Sequence, residues 1–292
     1  MRPITIYPDQ YPFLLRQIAK LPASLDVIGT IPDDSNKFLC VVGSRTHSSY
    51  GLDVCRRLLL GLKVYPIVIV SGLAVGIDSL AHQTALDIGL KTVAFPGSGL
   101  ADSVLYPSSR RSLAKSIVDH GGALVSEFKI DQMGDIWTFP KRNRLMAGIS
   151  HATLVIEARH DSGSLGTARN ASEFGRDVLV VPGSIFSDLS EGNNRLLREG
   201  ATAVASSEDI LESLGFEMIE NLSGEKRTRR DYSQLNLTDK QREIISLLET
   251  NPLSSSQLLE MTNSSPIHLN ILLSEMELAN IIIQNAGIYR LK

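Results

Sequence analysis

Ile67-Val68-Ile69-Val70-Ser71-Gly72-Leu73-Ala74-Val75-Gly76-Ile77-Asp78 passes from an unbroken apolar run, through a turn of small residues, into a stretch with helical spacing. A strand covered on both faces reads as a continuous Val/Ile run and not as an alternation, as in parallel sheets. Outward from it the same unit repeats. Apolar runs at Phe38 to Val42, Ile67 to Val70, Thr92 to Phe95, Ala123 to Ser126, Thr153 to Ile156, Val178 to Val181 and Ala201 to Ala205 are strand candidates. Helical patterns lie between them at Tyr50 to Val64, Gly76 to Gly89, Ser109 to His120, Leu165 to Gly175 and Asn193 to Gly200. The alternation predicts an α/β fold, an open doubly wound sheet over residues 1–216, with ligands at the carboxyl ends of the strands.

Past Phe216 the composition changes. Residues 217–236 are polar, carry four bases and four acids and lack apolar periodicity, which predicts a linker. Residues 237–292 offer three short helical patterns, Thr238 to Thr250, Ser254 to Thr262 and Pro266 to Ala279, then strand, turn, strand over Ile281 to Arg290. Three helices and a hairpin predict a small winged-helix-like C-terminal domain.

The 292 residues are 43% hydrophobic with a net charge of -3, so a disordered chain is excluded and no global field draws the protein to nucleic acid or an anionic membrane. Any polyanion must be held by a local patch. The two cysteines, Cys40 and Cys55, form no Cys-x-x-Cys pair, and the six histidines show no ligand spacing, so no disulfide framework and no metal are expected. Prolines at positions 3 and 8 interrupt the N-terminus before any signal-like apolar run, and Val64 to Ile77 falls short of the about 20 residues a membrane helix needs. A cytoplasmic protein without a membrane span is expected.

Three strand-end loops carry the chemistry: Gly43-Ser44-Arg45, Ser71-Gly72-Leu73-Ala74-Val75-Gly76, and Ser162-Gly163-Ser164-Leu165-Gly166-Thr167. Exposed amides and a helix dipole at such turns suit an anion, although any doubly wound domain needs glycine there. Phe139-Pro140-Lys141-Arg142-Asn143-Arg144 places three cations beside one ring, the pairing that single-stranded nucleic acid uses for phosphates and bases. Such a basic first turn opposes the helix dipole, so local stability does not account for it. Asp78 and His82, four apart, suit either a structural hydrogen bond or an oriented base. Gly97-Ser98-Gly99-Leu100-Ala101-Asp102 has Asp where a dinucleotide fingerprint needs a small residue, which disfavours NAD. No catalytic residue and no cofactor are expected.

Taken in order, Gly43-Ser44-Arg45, Tyr50-Gly51, Ser71-Gly72-Leu73-Ala74, Ala81-His82, Gly97-Ser98-Gly99-Leu100, Tyr106-Pro107, Ser126-Glu127, Phe139-Pro140-Lys141-Arg142-Asn143-Arg144, Ser162-Gly163-Ser164-Leu165, Pro182-Gly183 and Glu191-Gly192-Asn193 resemble the DNA-processing protein A family, DprA or Smf, over about residues 1–215. The resemblance implies an extended Rossmann-like core that forms a homodimer. It further implies binding of single-stranded DNA, duplex more weakly, and delivery of incoming DNA to a RecA-type recombinase in natural transformation, with no enzymatic step. The contacts it implies are Arg45, Phe139, Lys141, Arg142, Asn143 and Arg144, with help from Gly43, Ser44, Gly72, Gly163 and Ser164. The other reading is a Rossmann-like enzyme acting on a nucleotide through the same loops, and the number of cations beside Phe139 favours the polymer.

Overall fold

The computed structural model describes residues 2–216, 237–250, 253–262, 264–279, 281–285 and 287–291. It divides into two compact units, Met1–Met218 and Ile219–Lys292. The linker predicted over 217–236 lies outside the described residues.

In the first unit, nine strands form one mixed, mostly parallel sheet in the order β1-β2-β6-β5-β4-β3-β7-β8-β9. They are β1 (Ile4–Ile6), β2 (Leu25–Gly29), β3 (Lys37–Val42), β4 (Ile67–Ser71), β5 (Lys91–Ala94), β6 (Ala123–Ser126), β7 (Ala152–Val155), β8 (Asp177–Val180) and β9 (Thr202–Ala203). The helices are α1 (Ser49–Leu60), α2 (Ile77–Asp87), α3 (Arg111–Asp119), α4 (Thr138–Ile149), α5 (Gly163–Glu173), α6 (Glu191–Arg198) and α7 (Ser207–Ser213). The period of two along β3 explains the layering. Phe38, Cys40 and Val42 enter a core shared with Leu145 and Met146 of α4 and Leu165 of α5, whereas Leu39 and Val41 enter a second core with Leu58, Leu59 and Ile77 of α1 and α2. Helices therefore cover both faces, and each buried Val, Leu or Phe contributes about 1.5–3 kcal/mol of apolar burial.

The sheet departs from the prediction at one edge. β1 pairs antiparallel with β2, and β2 antiparallel with β6, with Asp26 opposite Ser126. The N-terminal segment escapes periodicity because β1 is three residues long and its middle residue, Thr5, spends its hydroxyl on the Asp26 carboxylate at 2.7 Å. The strand predicted over Ala201 to Ala205 shrinks to Thr202–Ala203, and the helix predicted from Leu165 begins at Gly163, because Ser162 caps it by accepting the Ser164 amide. Helix α7 was not anticipated. A capping box between Ser206 and Asp209 starts it.

The second unit holds α8 (Asp239–Thr250), β10 (Leu253–Ser254), α9 (Ser255–Thr262), α10 (Pro266–Leu278), β11 (Ile282–Asn285) and β12 (Ile288–Leu291). Its strands form a small antiparallel sheet in the order β10-β12-β11, over a core that includes Ile244, Leu258, Leu269, Leu273 and Ile282. No helix among the described residues is long and apolar enough to cross a membrane.

Candidate nucleic-acid interface

The carboxyl ends of β3, β4 and β7 open into one cavity of about 530 Å³. The loop after β3 supplies Gly43, Ser44, Arg45 and Thr46, the turn after β4 supplies Ala74 with Asp78 of α2, and α4 supplies Phe139, Arg142, Asn143 and Met146. The loop after β7 and the start of α5 close the far side with Arg159, Asp161, Ser162, Gly163, Ser164 and Thr167. The crossing point of a doubly wound sheet makes this crevice, because connections from β3 and β7 leave toward opposite faces.

Each element holds its side chain for a local reason. Ser44 ties the first loop by donating to the Thr46 carbonyl at 2.8 Å and accepting the Thr46 amide. The Arg45 guanidinium lies 5.4 Å from the centroid of the Phe139 ring, and Phe139 in turn lies 5.5 Å from Tyr106. That ring is half-buried and close-fitted: a Cβ on Gly97 would stand 2.4 Å from it. Gly163 has open space where its side chain would be, and at this end of α5 the Ser162 hydroxyl caps the Ser164 amide and lies 2.5 Å from the Ser164 hydroxyl. Among the described residues Thr167 keeps a buried hydroxyl with no partner beside that helix end. Leu73, at φ 60°, takes a left-handed conformation that a bulky side chain rarely adopts, and its fully buried side chain holds it there.

The basic stretch does not act as one patch. On a helix, residues three apart share a face, so Lys141 and Arg144 turn together onto Glu127, at 3.4 Å and 2.6 Å. Arg144 also donates to the Lys20 carbonyl at 2.9 Å. Neither lines the cavity. Arg142 points the other way and is 5% exposed. It donates to the carbonyls of Gly72, at 2.6 Å, and of Phe95, and through Nε to Asn143 Oδ1 at 3.1 Å. Asn143 carries the link on to the Gly163 carbonyl at 3.3 Å. Arg142 thus joins the ends of two strands and, through Asn143, the start of α5. Gly72 makes room for it, since a Cβ there would meet Arg142 Nη1 at 2.3 Å and Asp78 Oδ2 at 2.5 Å.

Burial pushes the Asp78 carboxyl up to about 6, against the pull of Arg142 and of the Ala74 and Gly72 amides. Burial likewise brings Arg142 down to about 10. Both groups meet near the Gly72 α-carbon and attract each other through the buried interior. His82 does not pair with Asp78. Its Nδ1 lies 2.6 Å from Thr92 Oγ1, and because that hydroxyl donates to the Ile69 carbonyl, Nδ1 carries the proton. Burial and Arg142 drop His82 to about 3, so it is a neutral packing element beneath the site.

Of the residues predicted from sequence, Gly43, Ser44, Arg45, Phe139, Arg142, Asn143, Gly163 and Ser164 line one cavity, Gly72 lies behind Arg142, and Lys141 and Arg144 face elsewhere. Arg159 was missed. It stands just past the end of β7 as Arg45 stands just past the end of β3, and a search for cations after strand ends would have found it. No cluster of three or more His, Cys, Asp or Glu suited to a metal ion exists among the described residues.

The model of a family described as DNA recombination-mediator protein A matches residues 2–215. The chain is 42% identical to Protein Smf of Escherichia coli K12 over 206 residues, which are 70% of this chain and 54% of that protein. It is 40% identical to DNA processing protein DprA of Streptococcus pneumoniae over 214 residues, 73% of this chain and 74% of that one. It therefore spans about half the length of the first relative and about three quarters of the second. Among solved structures, DNA processing protein A from Streptococcus pneumoniae matches with a TM-score of 0.67 at 37% identity, covering 75% of this chain and 76% of that chain. The Helicobacter pylori protein, solved for its single-stranded DNA binding mode, matches with 0.64 at 26% identity, covering 73% and 96%.

Proposed function

Because the chain belongs to the DNA recombination-mediator protein A family, we propose that its first unit binds single-stranded DNA in the cavity above β3, β4 and β7 and hands it to a RecA-type recombinase during natural transformation. The observation that carries this is the convergence of Arg45, Arg159, the start of α5 and the Phe139 ring on one crevice. Cations and amides hold phosphates while a ring face accepts any base, which favours single strands without sequence preference and leaves duplex weaker. Arg45 and Phe139 are the direct contacts in this reading, with Gly43, Ser44, Gly163 and Ser164 offering backbone and hydroxyl groups. Arg142, Asn143 and Gly72 position them, while Lys141 and Arg144, both turned onto Glu127, lie outside the cavity. Asp78 is buried and drawn on by Arg142 and by the Ala74 and Gly72 amides, so this reading takes it as an anchor and has no catalytic step.

The same reading takes residues 1–216 as an extended Rossmann-like domain that forms a homodimer, residues 217–236 as a linker and residues 237–292 as a winged-helix-like domain. Two linked cavities gain avidity along one strand. Light scattering at micromolar concentration tests the dimer, and a monomer mass removes it. Anisotropy of a labelled oligothymidine titrated across salt tests the site. Arg45→Ala should weaken binding and lower the slope of log K against log salt by about 0.7, the share of one phosphate contact on a single strand. An unchanged slope with an intact fold would place the DNA elsewhere.

A further inference from the structure

Trp137 is the single tryptophan of the chain, and it stands 53% exposed next to Ile136 at 86% and Met133 at 74%. A ring of this size left in water calls for a reason, since burying it would contribute more than burying any other side chain. Its position is fixed. The Thr138 hydroxyl, fully buried, reaches the Gly97 carbonyl at 2.6 Å and accepts the Asp135 amide at 3.0 Å, which pins the backbone on either side of Trp137. The indole meets the buried Phe128 ring edge-on at 5.8 Å, and Lys141 Nζ lies 6.0 Å from one centroid and 5.5 Å from the other. Glu127, which Lys141 approaches at 3.4 Å, is buried and held more closely by Arg144 at 2.6 Å, so the half-exposed ammonium keeps a solvent-facing side. Asp135, the nearest loop acid, turns its carboxylate onto the Ile136 amide at 2.6 Å.

This aromatic-cation pair is continuous with the cavity. Gly97 receives Thr138 on its carbonyl and the Phe139 ring over its α-carbon, and Gly134, three residues before Trp137, abuts the half-exposed Tyr106 ring that packs on Phe139. We propose that Trp137, flanked by the Lys141 ammonium, is a second stacking platform on which a base of the single strand rests after leaving the cavity past Phe139 and Tyr106. The inference rests on the single-strand reading above and adds an exit direction to it. A base fits this surface better than an apolar protein face does, because an ammonium beside the ring opposes apolar burial and matches a phosphate.

The sole tryptophan makes the test direct. Full-length protein is excited where only tryptophan absorbs and titrated with oligothymidines of increasing length, with anisotropy of the same labelled strands read in parallel. Strands long enough to leave the cavity should quench Trp137 in step with binding. Trp137→Ala should weaken their binding about tenfold, equivalent to 1.4 kcal/mol, with an unchanged salt slope, while Trp137→Phe retains most of the affinity. Normal binding with unquenched emission at every length, or a Trp137→Ala protein of unchanged affinity, overturns the platform and leaves the cavity reading standing. Emission that shifts with protein concentration alone makes the patch a contact between copies of the chain and also overturns it. Failure of the parent protein to bind any single strand removes both readings together.

Discussion

Replacing Arg142 separates two roles that a run of basic residues makes look alike. In the fold its guanidinium satisfies the Gly72 and Phe95 carbonyls and Asn143 Oδ1, and its charge acts on buried Asp78. Arg142→Ala strands the Gly72 and Phe95 carbonyls and Asn143 Oδ1 in the interior, at about 1 to 3 kcal/mol for each unsatisfied group without strict additivity, and removes the positive charge that draws Asp78 toward its ionised form. Against a total of about 5 to 15 kcal/mol for a domain, this brings the first unit near the limit of folding. Arg142→Lys is expected to fail as well, since a single ammonium cannot span acceptors arranged for a planar fork. Lys141→Ala, at a half-exposed pair, should cost at most about 1 kcal/mol. Urea unfolding followed through Trp137 reports the first unit alone, and with slopes of about 1 to 3 kcal/mol per molar the Arg142→Ala midpoint should fall by at least about 1 M. If Arg142→Ala shifts the midpoint no more than Lys141→Ala does while single-strand binding collapses, Arg142 is a DNA contact and the brace is wrong.

Gly97→Ala forces a methyl against the Phe139 ring, so it should displace the ring and weaken DNA binding by about 1 to 3 kcal/mol with little loss of stability; an unaltered affinity would remove Phe139 from the DNA surface. Folded His82 titrates near 3 instead of 6.5, so its contribution is present above about 6.5 and is lost as pH falls toward 3. Asp78, raised to about 6 from 3.8, opposes this by taking up a proton as pH falls from 6 to 4. Asp78→Asn should therefore lose stability more steeply on acidification than the parent chain, and equal slopes in acid titrations of urea midpoints would refute the assignment. Deleting residues 237–292, which carry four bases against six acids with none of the bases in α10, should leave single-strand affinity within about threefold, well under the tenfold of 1.4 kcal/mol. A larger loss with an unchanged oligomeric state would place that unit on the DNA.

The parallel strands were legible because burial on both faces makes them short, continuous Val/Ile-rich runs such as Phe38 to Val42 and Ile67 to Val70, bounded by turn residues. The antiparallel edge was not, because Ile4–Ile6 is too short to show a period and its partner β2 carries Asp26. At the site, residue type was legible and direction was not. Lys141, Arg142 and Arg144 look equivalent in a row, yet one turn of helix sends the outer two to Glu127 and the middle one into the sheet. The three-residue spacing of the outer pair contained that information once α4 was taken as a helix from Thr138 onward. Nothing local signalled that Gly72 and Gly97 are small for the sake of Arg142 and Phe139, because those contacts join residues far apart in the chain.

The strand order also sets a timetable for synthesis. β3 lies inside the sheet, yet β7, which pairs with one of its edges, begins 110 residues after Val42. At roughly 5 to 20 residues per second on the ribosome, that edge stays without its neighbour for about 5 to 20 seconds. During that interval Phe38-Leu39-Cys40-Val41-Val42, an uncharged run with two apolar faces, is open to pairing with another nascent chain. The crevice cannot exist before then, because one wall hangs from β3 and the opposite wall follows β7. A growing chain thus carries an unpaired inner strand edge before it has the two-walled crevice in which to hold DNA.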